Sequence, residues 1–339
     1  MISSYPMIVV DKVSKYYGVH PAVHNLEFRI DEGECVGFLG LNGAGKTTTL
    51  RILSCLLLPT SGRVTIKGLD AEEAPHEIRK LIGFLPDTPP LYPEMTVRDF
   101  LGFAGRLRRM EREAVERRVP EVLSSCGLED VAQQTIATLS HGYKQRVGIA
   151  QAIVHEPKLL ILDEPIQGLD PVQIVEMREM IRALRGQHTI LLSSHILSEI
   201  QQTCDRILML HEGRIAATAA EEELAGSRGK RIRVRLEVRA RSVPDHSEGG
   251  PESALRTALR DVSDVLEINV SKQSERSDVW TADLSLGLDC REEVAQALVK
   301  AGFGLRSLEL KSTGLEQMFL QLSHQGGEKP GTSSEEQAS

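Results

Sequence analysis

A chain of 339 residues is long enough for two domains, each able to bury a core of its own. Apolar residues at 41% and charged residues at 26% describe a globular chain, and a net charge of −8 gives no general attraction to nucleic acid or to an anionic membrane surface. The cysteines at positions 35, 55, 126, 204 and 290 include no C-x-x-C pair, which argues against a disulfide framework or a zinc site and for a reducing compartment. The first residues lack a basic segment followed by an apolar core, so no signal peptide is expected. Nowhere do about 18 apolar residues run together, as a bilayer-spanning helix requires.

Short apolar runs over 7–35, Met7-Ile8-Val9-Val10 and then Leu26-Glu27-Phe28-Arg29-Ile30, predict an antiparallel β entry. The apolar run Cys35-Val36-Gly37-Phe38-Leu39 then leads into Gly40-Leu41-Asn42-Gly43-Ala44-Gly45-Lys46-Thr47-Thr48, and an apolar, helix-like stretch follows over 49–58. Strand, glycine-rich turn and helix in that order are what a phosphate-binding loop requires. Successive amides form a concave anion nest, reinforced by the positive end of the helix. Lys46 is placed to reach the β- and γ-phosphates and the Thr47 hydroxyl to ligate Mg²⁺, so this segment predicts a bound nucleoside triphosphate. Strands follow at 64–66 and 82–85, the second running into a proline-dense loop over 86–93. From Thr96 the pattern turns helical: Thr96 and Asp99 read as a capping box, with Val97, Phe100, Leu101, Ala104 and Leu107 at helical spacing. The charged stretch 108–118 is interrupted by Glu111, Glu113 and Glu116 and reads as a solvated helix face rather than a nucleic-acid patch. Residues 94–155 therefore read as a helical insert within an α/β core.

The continuous apolar run over 159–162 has the character of a strand buried on both faces, and it delivers Asp163-Glu164-Pro165 at its carboxyl end. In a parallel sheet that edge is where ligands bind. Asp163 is predicted to hold Mg²⁺, directly or through a water, and Glu164 to polarise the attacking water as general base. The blander alternative is two solvent-facing acids. A helix over 172–184, a strand over 189–192, a further helix and a strand over 206–211 close the unit near Gly213.

Beyond Gly226 the composition shifts. Ile232, Val234, Leu236 and Val238 alternate with Arg231, Arg233, Arg235, Glu237 and Arg239, giving one apolar and one mostly basic face. Strand 230–240, helix 252–260, strands 264–271 and 278–286, helix 289–301 and strand 305–311 form the βαββαβ order of a small α+β, ferredoxin-like domain over 230–322. Asp289 with Glu292 reads as a second capping box and Gly302 as a helix stop. A last helix over 313–322 places Leu315, Met318, Phe319 and Leu322 on one face, which suits core or docking better than a cofactor site. Residues 324–339, rich in Gly, Ser and Glu, are expected to be disordered.

Several further segments resemble one family, the ATP-binding subunits of ABC transporters, over about residues 7–225. Asp163-Glu164-Pro165 with Gly168-Leu169-Asp170-Pro171 resembles that family's Walker B and D-loop. Leu139-Ser140-His141-Gly142-Tyr143-Lys144-Gln145-Arg146 resembles its signature motif, usually written LSGGQ. Ser193-Ser194-His195 is similar to the switch histidine region, and Tyr17 to the aromatic residue that stacks on adenine. The resemblance implies a P-loop NTPase of the ABC type over 7–226, with ATP and Mg²⁺ as ligands. It further implies that two such subunits, expected as a homodimer, pair head to tail. Each ATP then lies between one phosphate loop and the other subunit's residues Leu139 to Tyr143, with His195 contacting the γ-phosphate. Two departures stand out: His141 and Tyr143 replace the usual Gly and Gln of the signature, and Asp87 stands where the Q-loop glutamine is usual. A carboxylate at Asp87 can still ligate Mg²⁺ or hold water, but adds negative charge near the phosphates.

Residues 88–93 together with Leu139-Ser140-His141-Gly142-Tyr143 most resemble the gliding-motility branch of ABC-2-type exporters, and Leu315-Glu316-Gln317-Met318-Phe319-Leu320 is similar to an ending common in ABC-2 and drug- or polysaccharide-export subunits. That implies ATP hydrolysis coupled to export through a separate membrane permease, whose coupling helix enters the groove beside 87–93. The subunit is then expected in the cytoplasm, peripheral on the inner face of the plasma membrane. A soluble ATPase acting on nucleic acid or ribosomes is the alternative, supported only by the basic strand face from Arg231 to Arg241; no nucleic-acid partner is expected. The C-terminal domain as a small-ligand sensor is a third reading, by fold analogy alone.

Overall fold

The computed structural model describes residues 6–219, 232–240, 250–272, 278–310 and 319. The chain divides into two compact units, Met1–Glu221 and Glu222–Ser339. The helix expected over 313–322, the 324–339 tail, the region around Gly226, Arg231 and Arg241 lie outside the described residues, apart from Phe319.

In the first unit, β1 (Pro6–Tyr17), β2 (His20–Asp31), β4 (Ser61–Ile66) and β5 (Leu69–Asp70) form an antiparallel sheet in the order β2-β1-β4-β5. The main sheet runs β10-β9-β3-β8-β7-β6. Its strands β3 (Cys35–Leu39), β6 (Ile82–Leu85), β7 (Leu159–Leu162), β8 (Thr189–Ser194) and β9 (Arg206–His211) are parallel, and β10 (Arg214–Ala219) pairs antiparallel with β9. Every residue of β3, β7 and β8 is buried, as in a sheet covered on both faces. Between the sheets lies α1 (Lys46–Leu53), whose Leu50, Ile52 and Leu53 share one apolar core with Leu26, Ile30, Phe38 and Leu191. Truncating a buried leucine such as Leu50 costs about 2–5 kcal/mol, so the helix behind the phosphate loop is held firmly.

Register decides what meets at the carboxyl edge. Leu39 pairs with Ser194, Leu162 with Leu192 and Leu85 with Leu162. Residues 40–45, 87, 163–164 and 195, distant in sequence, therefore leave the sheet side by side.

The segment 94–155 contains α3 (Val97–Leu107), α4 (Arg112–Ser125) and α5 (His141–Ile153). Thr96 caps α3, its hydroxyl accepting from the Asp99 amide at 3.1 Å. Val97, Phe100, Leu101 and Ala104 are buried, but Leu107 is 65% exposed: as the last helical residue it lies past the core the other four cover. The charged stretch forms helix-face pairs, Arg112 with Glu116 and Arg118 with Glu121. The remaining helices of this unit are α2 (Pro75–Leu81), α6 (Pro171–Ala183) and α7 (Leu197–Thr203). The sequence pattern predicts neither α2 nor β5, and the unit continues past Gly213 into β10 rather than closing there.

The second unit contains β11 (Ile232–Ala240), α8 (Gly250–Arg260), β12 (Val265–Lys272), β13 (Val279–Leu286), α9 (Arg291–Lys300) and β14 (Phe303–Leu310). Its sheet is antiparallel in the order β12-β13-β11-β14, the βαββαβ arrangement of a ferredoxin-like unit. Val234, Leu236 and Val238 pack with Leu255, Leu259, Val294 and Leu298 of the two helices. The expected capping box at Asp289 and Glu292 does not form: α9 starts at Arg291 without a side-chain cap, because the Asp289 carboxylate accepts two 2.8 Å bonds from the Arg291 guanidinium. A forked, charge-assisted pair outcompetes a single amide. On the basic face, Arg235 pairs with Asp283 and Arg239 with Asp278.

Candidate functional site

The phosphate loop leaves β3 and turns into α1 through Gly45, whose φ of +101° and 2.5 Å approach of a would-be Cβ to the Ala22 carbonyl leave room for no side chain. Gly45 caps α1 with no side-chain hydrogen bond, and the first-turn amides of Lys46, Thr47 and Thr48 have no intrahelical acceptor. That end of the helix is built to receive an anion. Lys46, only 6% exposed, donates from Nζ to the Gly40 carbonyl at 2.7 Å and the Leu41 carbonyl at 3.4 Å. The same ammonium lies 3.2 Å from Glu164 Oε1.

The two acids differ in environment. Asp163 is buried and accepts from Ser193 Oγ at 2.7 Å. Burial raises its carboxyl above the ordinary range; hydrogen bonds from Ser193 and Thr47 oppose this, and the charges of Glu164 and Asp87 reinforce it. Asp163, Thr47 and Asp87 thus act on one another across the mouth of the loop. Glu164 adopts φ +48°, rare for a residue with a side chain and costing about 1–3 kcal/mol. Its amide donates to Ser193 Oγ at 2.9 Å and its Oε2 faces His195 Nδ1 at 3.0 Å. Amide, Oε1 and Oε2 are all engaged, which fixes the strained residue. Ser193 bridges both acids; a serine at a strand end carries no sequence pattern that marks it.

An open cleft of about 500 Å³ is bordered by Leu41, Asn42, Gly43, Gly45, Lys46, Thr47, Thr48, Asp87 and Glu164. Gly40 and Ala44 complete the loop behind it, and Ala22 and Gln167 join its wall unforeseen. Tyr17 does not border the cleft: it sits at the tip of the β1–β2 hairpin, half exposed, with the Lys15 ammonium 5.8 Å from its ring centroid. Among the described residues no three His, Cys, Asp or Glu side chains cluster as a metal cage. Mg²⁺ needs none, since it is held by one or two carboxylates together with substrate phosphates. The Thr47, Asp163 and Asp87 oxygens fit that demand.

The signature residues stand apart from this cleft. Leu139 is buried, and Ser140 caps α5, its hydroxyl accepting from the Tyr143 amide at 3.4 Å. The Arg146 guanidinium lies 5.8 Å from the Tyr143 ring centroid and pairs with Glu176. His141 Nε2 donates to the Gln167 carbonyl at 3.1 Å. In the D-loop, Gly168 takes φ +75°, the Leu169 amide donates to the Ile166 carbonyl, and Asp170 caps α6 by accepting from the Val172 and Gln173 amides at 3.0 Å each.

Comparison with known proteins places this geometry. The family described as "ABC transporter" matches residues 23–167. An ABC transporter ATP-binding protein of Bacillus subtilis (strain 168) is 36% identical over 318 residues, 94% of this chain and all of that protein. The bacitracin transport ATP-binding protein of Bacillus licheniformis is 40% identical over 62% of this chain and 68% of its own length. Among solved structures, an ATP-binding subunit of an ABC transporter is 34% identical with a TM-score of 0.58, covering 64% of this chain and 91% of that one. A dimeric ATP-binding cassette in a post-hydrolysis state bound to ADP and Pi is 27% identical with a TM-score of 0.59, covering 63% and 99%. This chain belongs to the family of ABC transporter ATP-binding proteins, and it is an ATPase of the P-loop fold.

Proposed function

We propose that two copies of this chain close head to tail around two ATP molecules and that closure and hydrolysis drive export through a separate, ABC-2-type membrane permease. Each phosphate loop grips one ATP, while the partner copy presents Ser140, the Gly142 amide and the N-terminus of α5 to its γ-phosphate. The sandwich makes closure depend on a phosphate that hydrolysis removes, a two-state interface biased by one ligand. The dimeric relative bound to ADP and Pi supports the pairing by likeness.

The observation that carries this reading is the double engagement of Glu164, by Lys46 on one oxygen and His195 on the other. While Lys46 is paired with Glu164, the carboxylate is poorly placed to take a proton. An incoming γ-phosphate competes for the ammonium and frees Oε1 to orient the attacking water as general base, with His195 holding Oε2. Thr47 and Asp163, with Asp87 in the Q-loop position, would hold Mg²⁺, which supplies charge neutralisation at the phosphates. Residues 7–226 then act as the ATP-binding domain, with 94–155 as its helical insert, and 230–322 as an accessory domain.

No helix of the described residues is long and apolar enough to cross a membrane. The permease's coupling helix would enter a groove of about 630 Å³ bordered by Phe84, Pro86, Pro90, Arg51, Arg79 and Arg108, whose three guanidiniums favour carboxylates on that helix. Docking there would hold the subunit at the inner face of the plasma membrane. The nucleic-acid alternative is weakened by the pairing of Arg235 and Arg239 with acids. Glu164→Gln is expected to lower ATP turnover by about 10²–10⁴-fold with ATP affinity retained; unchanged turnover removes Glu164 from the role of base.

A further inference from the structure

The signature of this chain carries an imidazole where a glycine is usual, and that imidazole is tied to the D-loop of its own subunit. Nε2 of His141 carries the proton, since its 3.1 Å partner, the Gln167 carbonyl, can only accept. The ring lies close along the loop: a Cβ on Gly168 would stand 3.3 Å from the same nitrogen. One residue on, Gly142 backs onto α6, where an added Cβ would meet Gln173 Oε1 at 2.4 Å. The start of α5 is therefore hydrogen-bonded to Gln167 and closely packed against Gln173. From there the bonds run inward. The Gln167 amide donates to the Glu164 carbonyl at 3.2 Å, the Glu164 amide to Ser193 Oγ, and the Glu164 side chain joins Lys46 and His195.

We propose that His141 is a positioning residue that couples the two ATP sites of a dimer, relaying γ-phosphate contact at the signature helix through Gln167 to the backbone of Glu164 in the same chain. This rests on the head-to-tail reading above. In that arrangement the signature of one copy faces the partner's ATP, whereas its Glu164 serves its own. A pull on the N-terminus of α5 is transmitted to Gln167, and through it to a glutamate held in a strained conformation (φ +48°) that small backbone shifts can align or misalign. His141 is exposed and hydrogen-bonds to Gln167 rather than to the phosphate loop or the two acids, so its effect is on coordination between sites and not on nucleotide binding to its own subunit.

The test uses the full chain and measures ATP hydrolysis against ATP concentration for the wild type, His141→Ala, His141→Phe and His141→Gln, with equilibrium ATP binding and thermal stability alongside. Glutamine keeps an N–H donor at similar reach; alanine and phenylalanine do not, and phenylalanine keeps the ring. The expected result is a kcat about tenfold lower in the Ala and Phe variants, the worth of one hydrogen bond. Their Hill coefficient falls toward about 1 while ATP binding to the undimerised subunit and the melting temperature stay unchanged, and Gln restores most of both losses. If the wild type is cooperative and the Ala or Phe variant retains its rate and cooperativity, or Gln fails to rescue, the coupling role is overturned and the dimer reading stands. If the wild type itself hydrolyses ATP without cooperativity and as a monomer, the head-to-tail reading falls and this proposal with it.

Discussion

Two helices in the first unit begin beside a glycine and end their approach to the cleft in opposite ways. α1 starts at Gly45 with no side-chain cap, its amides facing the cleft and its lysine already bound to two carbonyls and a carboxylate. α5 starts at Ser140 with a long 3.4 Å self-cap, stands outside the cleft and is tied to the D-loop. Both are positive helix ends suited to an anion. One is furnished with an interior charge network around its lysine; the other offers a surface-facing end. A helix terminus becomes half of a site or a complete one according to what its own chain places around it.

The largest effect that separates the two is expected at Lys46. Lys46→Ala should weaken ATP binding to the isolated subunit by about a hundredfold, measured by titration calorimetry, because a charge-assisted contact in a buried setting is lost. Undiminished affinity would remove the loop's claim to be the more complete half.

The far end of α5 offers the next. His155, just past the helix, donates from Nε2 to the Ile82 carbonyl of β6 at 3.0 Å. Burial, helped by the Arg108 charge, pushes its imidazole from 6.5 down to about 4. The folded-state pKa is depressed, so the unfolded chain binds the proton first; stability is intact above about 6.5 and is lost as pH falls from there toward about 4. Urea unfolding at pH 5 compared with pH 7 should show a loss of about 2 kcal/mol that His155→Asn largely abolishes. An equal loss in both proteins would place the pH sensitivity elsewhere.

Ser140→Ala should lower turnover about tenfold and leave ATP binding to the subunit untouched. A loss of binding affinity would put the signature inside the subunit's own site and erase the contrast. The smallest effect belongs to a helix start with no ligand to meet. Thr96→Ala removes the 3.1 Å cap of α3 and is expected to cost about 1 kcal/mol in chemical unfolding with no change in turnover.

The phosphate loop was legible because backbone geometry dictates its residues: a glycine at φ +101° against the Ala22 carbonyl leaves a mark in sequence. The two acids were legible because an apolar strand delivers them. Ser193 was not, since what gives it a role is the register of β7 on β8, which no local pattern encodes. The same holds for Gln167, which acts through its backbone. Where local reading failed, a competing interaction won: Arg291 captured the carboxylate expected to cap α9. The helix α2, seven residues between strand and strand, was too short for its periodicity to register. The fold of the second unit was readable from alternation because Val234, Leu236 and Val238 of β11 are buried while Arg235 and Arg239 between them are ion-paired.

The most direct test of the account is the molar mass of the Glu164→Gln chain by light scattering, with and without saturating ATP and Mg²⁺. A mass that doubles with ATP and returns to the monomer's on its removal is the predicted result. A chain that binds ATP fully and stays monomeric would contradict the shared-site mechanism at its root.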